Sequence, residues 1–532
     1  MKSLFRRFSL AFTFTLALAL QLAAEAVPLT FVYVSDSHSR LDPFGPKTAD
    51  LKGRLGGIAR VATILGQVRA TEANVLAFHS GDASVDDPIF NDFLMVPELQ
   101  LLDGLDFAAF ELGNHEFDLG PGALLTSLSS ALTTQLSYLC TNCDFTDFSD
   151  LDPYIQDSSV KEVGGLKIGI FGLLTPHVPT TNPDPVKILG TDDAELMAIA
   201  GAKVQELRDD GADVVVLLSH LGHLYDEAVA ENVPGIDVIL GGHDHIVISE
   251  PISVLNPGGT QTLIVQPGMH YRYVGELRVS VDAGAVTLVD NTIIPIDDAV
   301  SAVAEVQGAV DQLKAGVVNR FGDLYDTPIA NAKKDIPMTY NPEKAFRDTP
   351  MGNLLLKSYL DKTRTEIAIT ANGLIAEQLW KGPIVGADVF RCVGYGFDPV
   401  TRLGFHLATF EISGAEIVKG LELGVVYAGI NEDFLLQVAG MKYRYDSTQL
   451  PGLRVILKSV KIRGKPVDPL RMYTCTANEG IAMLLPIFDI QVENLQVLPD
   501  FEYTVFHDYL QKVKNANAKS QGKIVDAGFK KK

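Results

Sequence analysis

Residues 29–38, LTFVYVSDSH, pass from six mostly apolar, β-favouring residues straight into Ser35-Asp36-Ser37-His38. The same junction recurs four times. Residues 75–78 (VLAF) lead to Gly81-Asp82, and 107–112 (FAAFEL) to Gly113-Asn114-His115-Glu116. Residues 214–218 (VVVLL) lead to Ser219-His220, and 236–240 (IDVIL) to Gly241-Gly242-His243-Asp244-His245. Short runs rich in Val, Ile and Phe suit strands buried on both faces. Helix-compatible stretches such as 57–70 (GIARVATILGQVRA) and 193–208 lie between them. Strand alternating with helix predicts a layered α/β domain. Ligands in such domains gather just beyond the carboxyl ends of the strands, which is where every one of these polar segments falls.

The residue types define the chemistry. Five of the eleven histidines sit in these segments, beside carboxylates and a carboxamide. A catalytic divalent metal needs such oxygen and nitrogen ligands and an open position. Two ions about 3.5–4 Å apart can share a carboxylate and clamp both ends of an in-line displacement. Asp82 is short and anionic, as a bridge must be. A metal-bound water loses its proton near neutral pH, which provides the nucleophile. His115 is placed to stabilise charge developing at phosphorus, and Asp118 to hold its ring cationic. His79 reads as a packing or supporting residue, His223 as a phosphate contact, and Glu111 as a solvated or capping residue.

The ordered set D-x-H, G-D, G-N-H-E, H and G-G-H-x-H resembles the calcineurin-like metallophosphoesterases. Gly113–Asp118 (GNHEFD), residues 57–60 (GIAR) and 164–172 (GGLKIGIFG) resemble the 5′-nucleotidase branch. The resemblance covers residues 29–279. It implies a four-layer α/β/β/α sandwich followed by a smaller α/β substrate domain. It also implies that Asp36, His38, Asp82 and His245 hold one metal, and that Asp82, Asn114, His220 and His243 hold the other. His115 and Asp118 match the family's catalytic pair. The ions themselves are not named by the ligands, since zinc, manganese, iron and cobalt all suit mixed O/N donors.

The length of 532 residues implies at least two domains. Lys2, Arg6 and Arg7 precede an apolar run over 8–22 and then Ala24-Glu25-Ala26, which reads as a secretory signal peptide cleaved near Ala26. The alternative, a transmembrane anchor, needs ~20 apolar residues, more than this run offers. Arg6-Arg7 leaves twin-arginine export open beside the general route. Loss of the signal takes the net charge from −22 to −24. So acidic a chain argues against a polymeric nucleic acid partner but not against a small anion drawn to two metals. Stable membrane insertion is not expected.

The metallophosphoesterase domain is assigned to 27–298, a linker helix to 299–334 with its helical pattern at 299–321, and the second domain to 335–532. Cys140 and Cys143 fall in the first domain, and Cys392 and Cys475 in the second. Within-domain disulfides are the simplest pairing in an oxidising compartment, with free thiols as the alternative.

The second domain is similar to the 5′-nucleotidase C-terminal domain. Residues 347–354 (RDTPMGNL) look like the segment whose Arg contacts substrate phosphate, and Asn372-Gly373 opens the family's N-G-G-G-I-R loop. Residues 413–416 (SGAE) and 437–445 (QVAGMKYRY) match two further signatures. By this resemblance Arg347, Asn372 and Gly373 contact substrate, Arg347 as a bidentate fork for an anion. The pattern also departs. The loop continues Leu374-Ile375-Ala376, one residue short and without its Arg. Leu403 stands where an aromatic stacks on the base, and residues 478–482 (NEGIA) replace a second aromatic motif. Tyr395, Phe397 and Phe405 could rebuild a stacking site or pack in the core.

The expected function is therefore an exported, dinuclear-metal phosphoester hydrolase. It would release phosphate from nucleotides or related small monoesters. A cyclic-nucleotide or nucleotide-sugar hydrolase, or a thiosulfohydrolase-like enzyme acting on the thiosulfate group of a carrier protein, is the alternative on the same site, and a catalytically silent nucleotide-binding protein is the alternative outside the enzymes.

Overall fold

Val27–Val34 forms the strand that organises the first lobe, its last six residues fully buried. It pairs in parallel with Val75–His79, which pairs in parallel with Ala109–Glu111. These are central strands of a seven-stranded sheet. A second sheet of six strands places Leu166–Leu174, Val214–His220 and Val238–Gly241 side by side, again parallel. In this computed structural model the described residues are 26–177, 185–339, 347–429 and 431–529. The signal segment, apart from Ala26, lies outside them.

The two sheets pack face to face. Leu29, Phe31, Tyr33 and Phe78 of the first sheet share one core with Ile168, Val214, Val216 and Leu240 of the second. The outer face of the first sheet is covered by Ile58–Thr71, Val96–Gly104 and Pro121–Ala131, whose apolar residues join one cluster. The outer face of the second is covered by Asp193–Asp209 and His223–Asn232. The expected four layers are thus present. Strands buried on both faces need no polar alternation, which is why 214–218 reads as unbroken Val and Leu.

The helix expected over 299–321 begins later, at Ala304, and ends at Phe321. Val310 and Val317 pin it to the first lobe's core. The second lobe is built on a five-stranded sheet containing Ile367–Ala371, His406–Ser413 and Met472–Asn478. Pro350–Thr363 and Glu502–Val513 pack on one face and Gly414–Tyr427 on the other.

Buried charges join the lobes. Arg391 Nε donates to Asp87 Oδ2 at 2.7 Å, with both side chains buried. Arg40 pairs with Asp86 and donates to the carbonyl of Arg391 at 3.3 Å. His270 Nδ1 lies 3.3 Å from Glu377 Oε2.

Cys140 and Cys143 form a disulfide, so the local CxxC reading as a disulfide stands. The second expected pair is corrected. Cys392 and Cys475 are both buried free thiols, separated into two different cores of the same lobe. Among the described residues no helix is long and apolar enough to cross a membrane.

Candidate metal centre

The strand ends deliver their polar residues to one place. Asp36, His38, Asp82 and His245 each offer a ligand atom within 4.8 Å of the others, and Asp82, His220 and His243 form a second such group. Asp82 belongs to both. His220 Nε2 lies 3.0 Å from Asp82 Oδ2, His245 Nε2 lies 3.5 Å from Asp36 Oδ1, and His38 Nε2 faces His245 Nε2 at 3.3 Å. Asn114 Oδ1 lies 3.0 Å from His243 Nδ1, which adds the carboxamide to the second group.

The backbone is bent to make this possible. Asp36, His38, Asp82, His243 and His245 all adopt positive φ, from 48° to 80°. Non-glycine residues rarely do so, and such strain collects at functional sites. Glu116 holds the bends in place. Its carboxylate accepts the backbone N–H groups of Asp82, Ala83, Ser84 and Gly113 at 2.6–3.0 Å. Gly113 permits the close approach, because a Cβ there would meet Asp82 Oδ1 at 2.2 Å.

The donor set fits divalent cations. His38 Nδ1 lies 3.1 Å from the Ser84 carbonyl and His220 Nδ1 lies 2.7 Å from the Ser80 carbonyl. With those nitrogens protonated, each Nε2 lone pair points into the cluster, the outer-shell arrangement that metal-ligating histidines use. His220 Nε2 is buried and makes no well-directed hydrogen bond, an orphan that a cation would satisfy.

The charges agree. Burial pushes the Asp82 carboxyl upward, but His220 and then His115 outweigh it and hold its pKa well below the usual range. Against its own burial, His220 is raised by Asp82 to about 9, so it carries a proton that a bound cation would displace. Burial likewise raises Asp36, and the hydrogen bond and charge of His245 bring it below normal. His38 is held well below its ordinary value by burial, so it is neutral. Burial also lowers His243, to about 4.

His115 stands at the edge of the cluster. Its backbone N–H donates to Asp82 Oδ1 at 2.9 Å, and its Nδ1 lies 2.7 Å from Asp118 Oδ2. Burial works against its charge, but Asp118 and Asp82 raise its pKa to about 10, so it is cationic at neutral pH. The ring of Tyr395, from the second lobe, stacks on it.

Other expected residues are placed as follows. Arg347 is half-buried, its carbonyl accepting from Gln437 Nε2 at 3.4 Å. Asn372 is buried with Oδ1 unpartnered, and Gly373 lies against Asp433, where a Cβ would meet Asp433 Cβ at 2.6 Å. His79 is fully buried, with Nε2 2.9 Å from Ser37 Oγ, consistent with support. His223 is paired with Asp244. Glu111 is corrected, being neither solvated nor a cap. It is completely buried, with both oxygens unpartnered against Gly172. Burial first, and the nearby Glu116 second, push its pKa well up.

Three contributors carry no signal in the motif spacing. Glu116 lies inside GNHE but nothing in the string reveals that it collects four amides. Tyr395 comes from a loop of the second lobe and Asp433 from its short helical turn Glu432–Phe434, and their nearness to the centre arises only through folding.

Comparison with known proteins places these observations in a family. Residues 29–247 match the calcineurin-like phosphoesterase model, so the first lobe is a metallophosphoesterase domain. Residues 328–485 match the 5′-nucleotidase C-terminal domain, and the chain belongs to the 5′-nucleotidase family that joins these two domains. It is similar to the trifunctional nucleotide phosphoesterase protein YfkN of Bacillus subtilis (strain 168), 24% identical over 93% of this chain, and spans 35% of that protein's length. It is 25% identical to a snake venom 5′-nucleotidase of Naja atra over 86% of this chain and 89% of that one. The crystal structure of a 5′-nucleotidase precursor from Thermus thermophilus superposes with a TM-score of 0.84, at 28% identity, over 94% of this chain and 100% of that one. The chain is a phosphoester hydrolase of this kind.

Proposed function

We propose that the chain, with two divalent ions bound, releases phosphate from 5′-nucleotides or related small phosphate monoesters. The single observation that carries this is the pair of ligand groups sharing Asp82, with cationic His115 beside them. Asp36, His38, Asp82 and His245 would hold one ion, and Asp82, Asn114, His220 and His243 the other. Bound there, the ions supply Lewis acidity and a water of lowered pKa. The protein does the rest. Asp118 fixes the His115 ring through Nδ1 and leaves its Nε2–H free to protonate the departing oxygen or to stabilise charge on the phosphoryl group. Ser84 and Ser80 carbonyls fix the ring orientation of His38 and His220. Arg347, Asn372 and Gly373 would bind substrate from the second lobe.

The reading extends to organisation and address. The metallophosphoesterase domain spans 27–298, the linker 299–334 and the substrate domain 335–532. Export behind the 1–26 signal is supported by the Cys140–Cys143 disulfide, since such bonds persist in oxidising compartments. The test is phosphate release by the full chain from AMP, a cyclic nucleotide and an aryl phosphate, with Mn²⁺, Zn²⁺ or Co²⁺ added. Release from AMP that is abolished by chelation is expected. Nucleotide binding with no turnover under any metal would overturn it.

A further inference from the structure

Residues 268–271 form a loop that wraps the turn at residues 35–38. Gly268, His270 and Tyr271 all take positive φ, from 52° to 82°. Ser35 Oγ donates to the Gly268 carbonyl at 3.3 Å, and the His270 backbone N–H donates to the Asp36 carbonyl at 2.8 Å. Tyr271 Oη and Ser37 Oγ both donate to Glu98 Oε1, at 2.6 and 2.5 Å. The His270 ring stands edge-on to the His38 ring, with centroids 5.5 Å apart and planes at 78°. Each residue from Ser35 to His38 is thus held by this loop or by a group that the loop also holds.

The second lobe reaches the loop at His270. The imidazole is buried between two carboxylates, with Glu377 Oε2 3.3 Å from Nδ1 and Asp86 Oδ2 3.6 Å from Nε2. Neither approach is a well-directed hydrogen bond, so the carboxylates confine the ring from both edges rather than pin it by one bond. Glu377 is itself fixed. Its Oε1 accepts the Gln378 N–H at 2.8 Å, which leaves Oε2 turned to His270. The flanking backbone is tied into the second lobe, Ala376 N–H donating to the Cys392 carbonyl at 3.1 Å and Ile336 N–H to the Leu379 carbonyl at 2.8 Å.

We propose that His270 and Glu377 are positioning residues for the ion that Asp36, His38, Asp82 and His245 would hold. Glu377 keeps the His270 ring against His38 and its backbone against Asp36, so the docked second lobe completes this half of the metal centre. The other half is oriented from within the first lobe. His220 Nδ1 lies 2.7 Å from the Ser80 carbonyl, and His243 Nδ1 lies 3.0 Å from Asn114 Oδ1. The second lobe therefore acts on one ion and not on the other. This rests on the two-ion reading and assigns to that site two residues outside its ligand set.

The test is titration of the metal-free full chain with Co²⁺ against a competing chelator, followed by the visible absorption of bound cobalt. The unaltered protein is expected to take up two ions, and His245→Ala marks which step belongs to the Asp36 group. Glu377→Ala and His270→Ala should weaken that same step about tenfold, the lower end of what partners that orient metal ligands contribute, and leave the other step unchanged. Glu377→Gln keeps the size and an oxygen toward His270, and should restore most of the affinity. A role confined to lobe stability would lower the melting temperature of the metal-free protein without separating the two steps. Should His270→Ala not fold, Glu377→Ala and Glu377→Gln decide the matter from the far side of the contact. Unchanged Co²⁺ binding in Glu377→Ala, or equal weakening of both steps, overturns the inference. Uptake of fewer than two ions by the unaltered protein would refute the two-ion reading itself, and this inference would fall with it.

Discussion

Tyr395 stacks on His115 with ring centroids 5.3 Å apart and planes 22° apart. One ring belongs to the second lobe and the other to the metal-bearing lobe, so the imidazole is positioned from both sides of the cleft. Asp118 fixes its edge and Tyr395 its face. Tyr395 is a positioning residue in this arrangement. Tyr395→Ala should lower kcat by about ten- to a hundredfold through loss of alignment, while Tyr395→Phe keeps the ring and most of the rate. Equal kcat in all three proteins would show that the stacking is idle.

His115→Ala should reduce turnover by about 10²–10⁴-fold, the range for loss of a general acid. A neutral Asp118→Asn should act on the pH profile as well. The His115 pKa stands at about 10 because Asp118 and Asp82 outweigh burial. A reaction that needs the protonated ring loses rate as pH rises through that pKa. Removing one of the two supporting charges lowers it, so the alkaline limb should move to lower pH. Rate profiles from pH 6 to 11 check this.

Asp82→Asn should lose bound metal and activity together. Asp82 is common to both ligand groups, so its charge serves two sites at once. Metal content by atomic emission is expected to fall for both ions. An unchanged metal count would remove Asp82 from the bridging position.

Glu502 predicts a pH-dependent stability. It is buried, bonded by Tyr359 Oη–H and by Asn478 Nδ2 at 3.1 Å, and burial raises its pKa to about 7. A carboxyl raised above its unfolded value of ~4.5 adds most stability at low pH and loses it as pH climbs through 7. The loss amounts to about 3 kcal/mol by pH 8. Urea unfolding between pH 5 and 8 should show a smaller decline in Glu502→Gln than in the unaltered protein.

Asp87→Ala should destabilise the protein by about 3–5 kcal/mol, because it strands the buried Arg391 guanidinium. Denaturant midpoints measure this, and a change below 1 kcal/mol would mean that solvent reaches the pair.

The metal centre is legible in the sequence because its ligands sit at strand ends, where sequence position and spatial position coincide. Asp36, Asp82, Asn114, His220 and His243 each follow an apolar run that could only be a buried strand. Glu111 misleads for the same reason in reverse. It is the last residue of a strand only three residues long, and its alternating direction sends it between the sheets rather than to the rim. The Cys392–Cys475 pairing fails because sequence does not say which face of a sheet a residue occupies. Asp433 and Tyr395 are illegible as neighbours of the centre, since they reach it across an interface that no local pattern encodes.

The ion pair of Arg391 with Asp87, and the buried contact of His270 with Glu377, also bear on how such a chain can diversify. Grafting a foreign second lobe onto this first lobe would leave Asp87 and His270 facing whatever the newcomer happened to carry. New specificities therefore arise most readily by residue replacement inside the existing lobe, and wholesale exchange of modules is penalised at the seam.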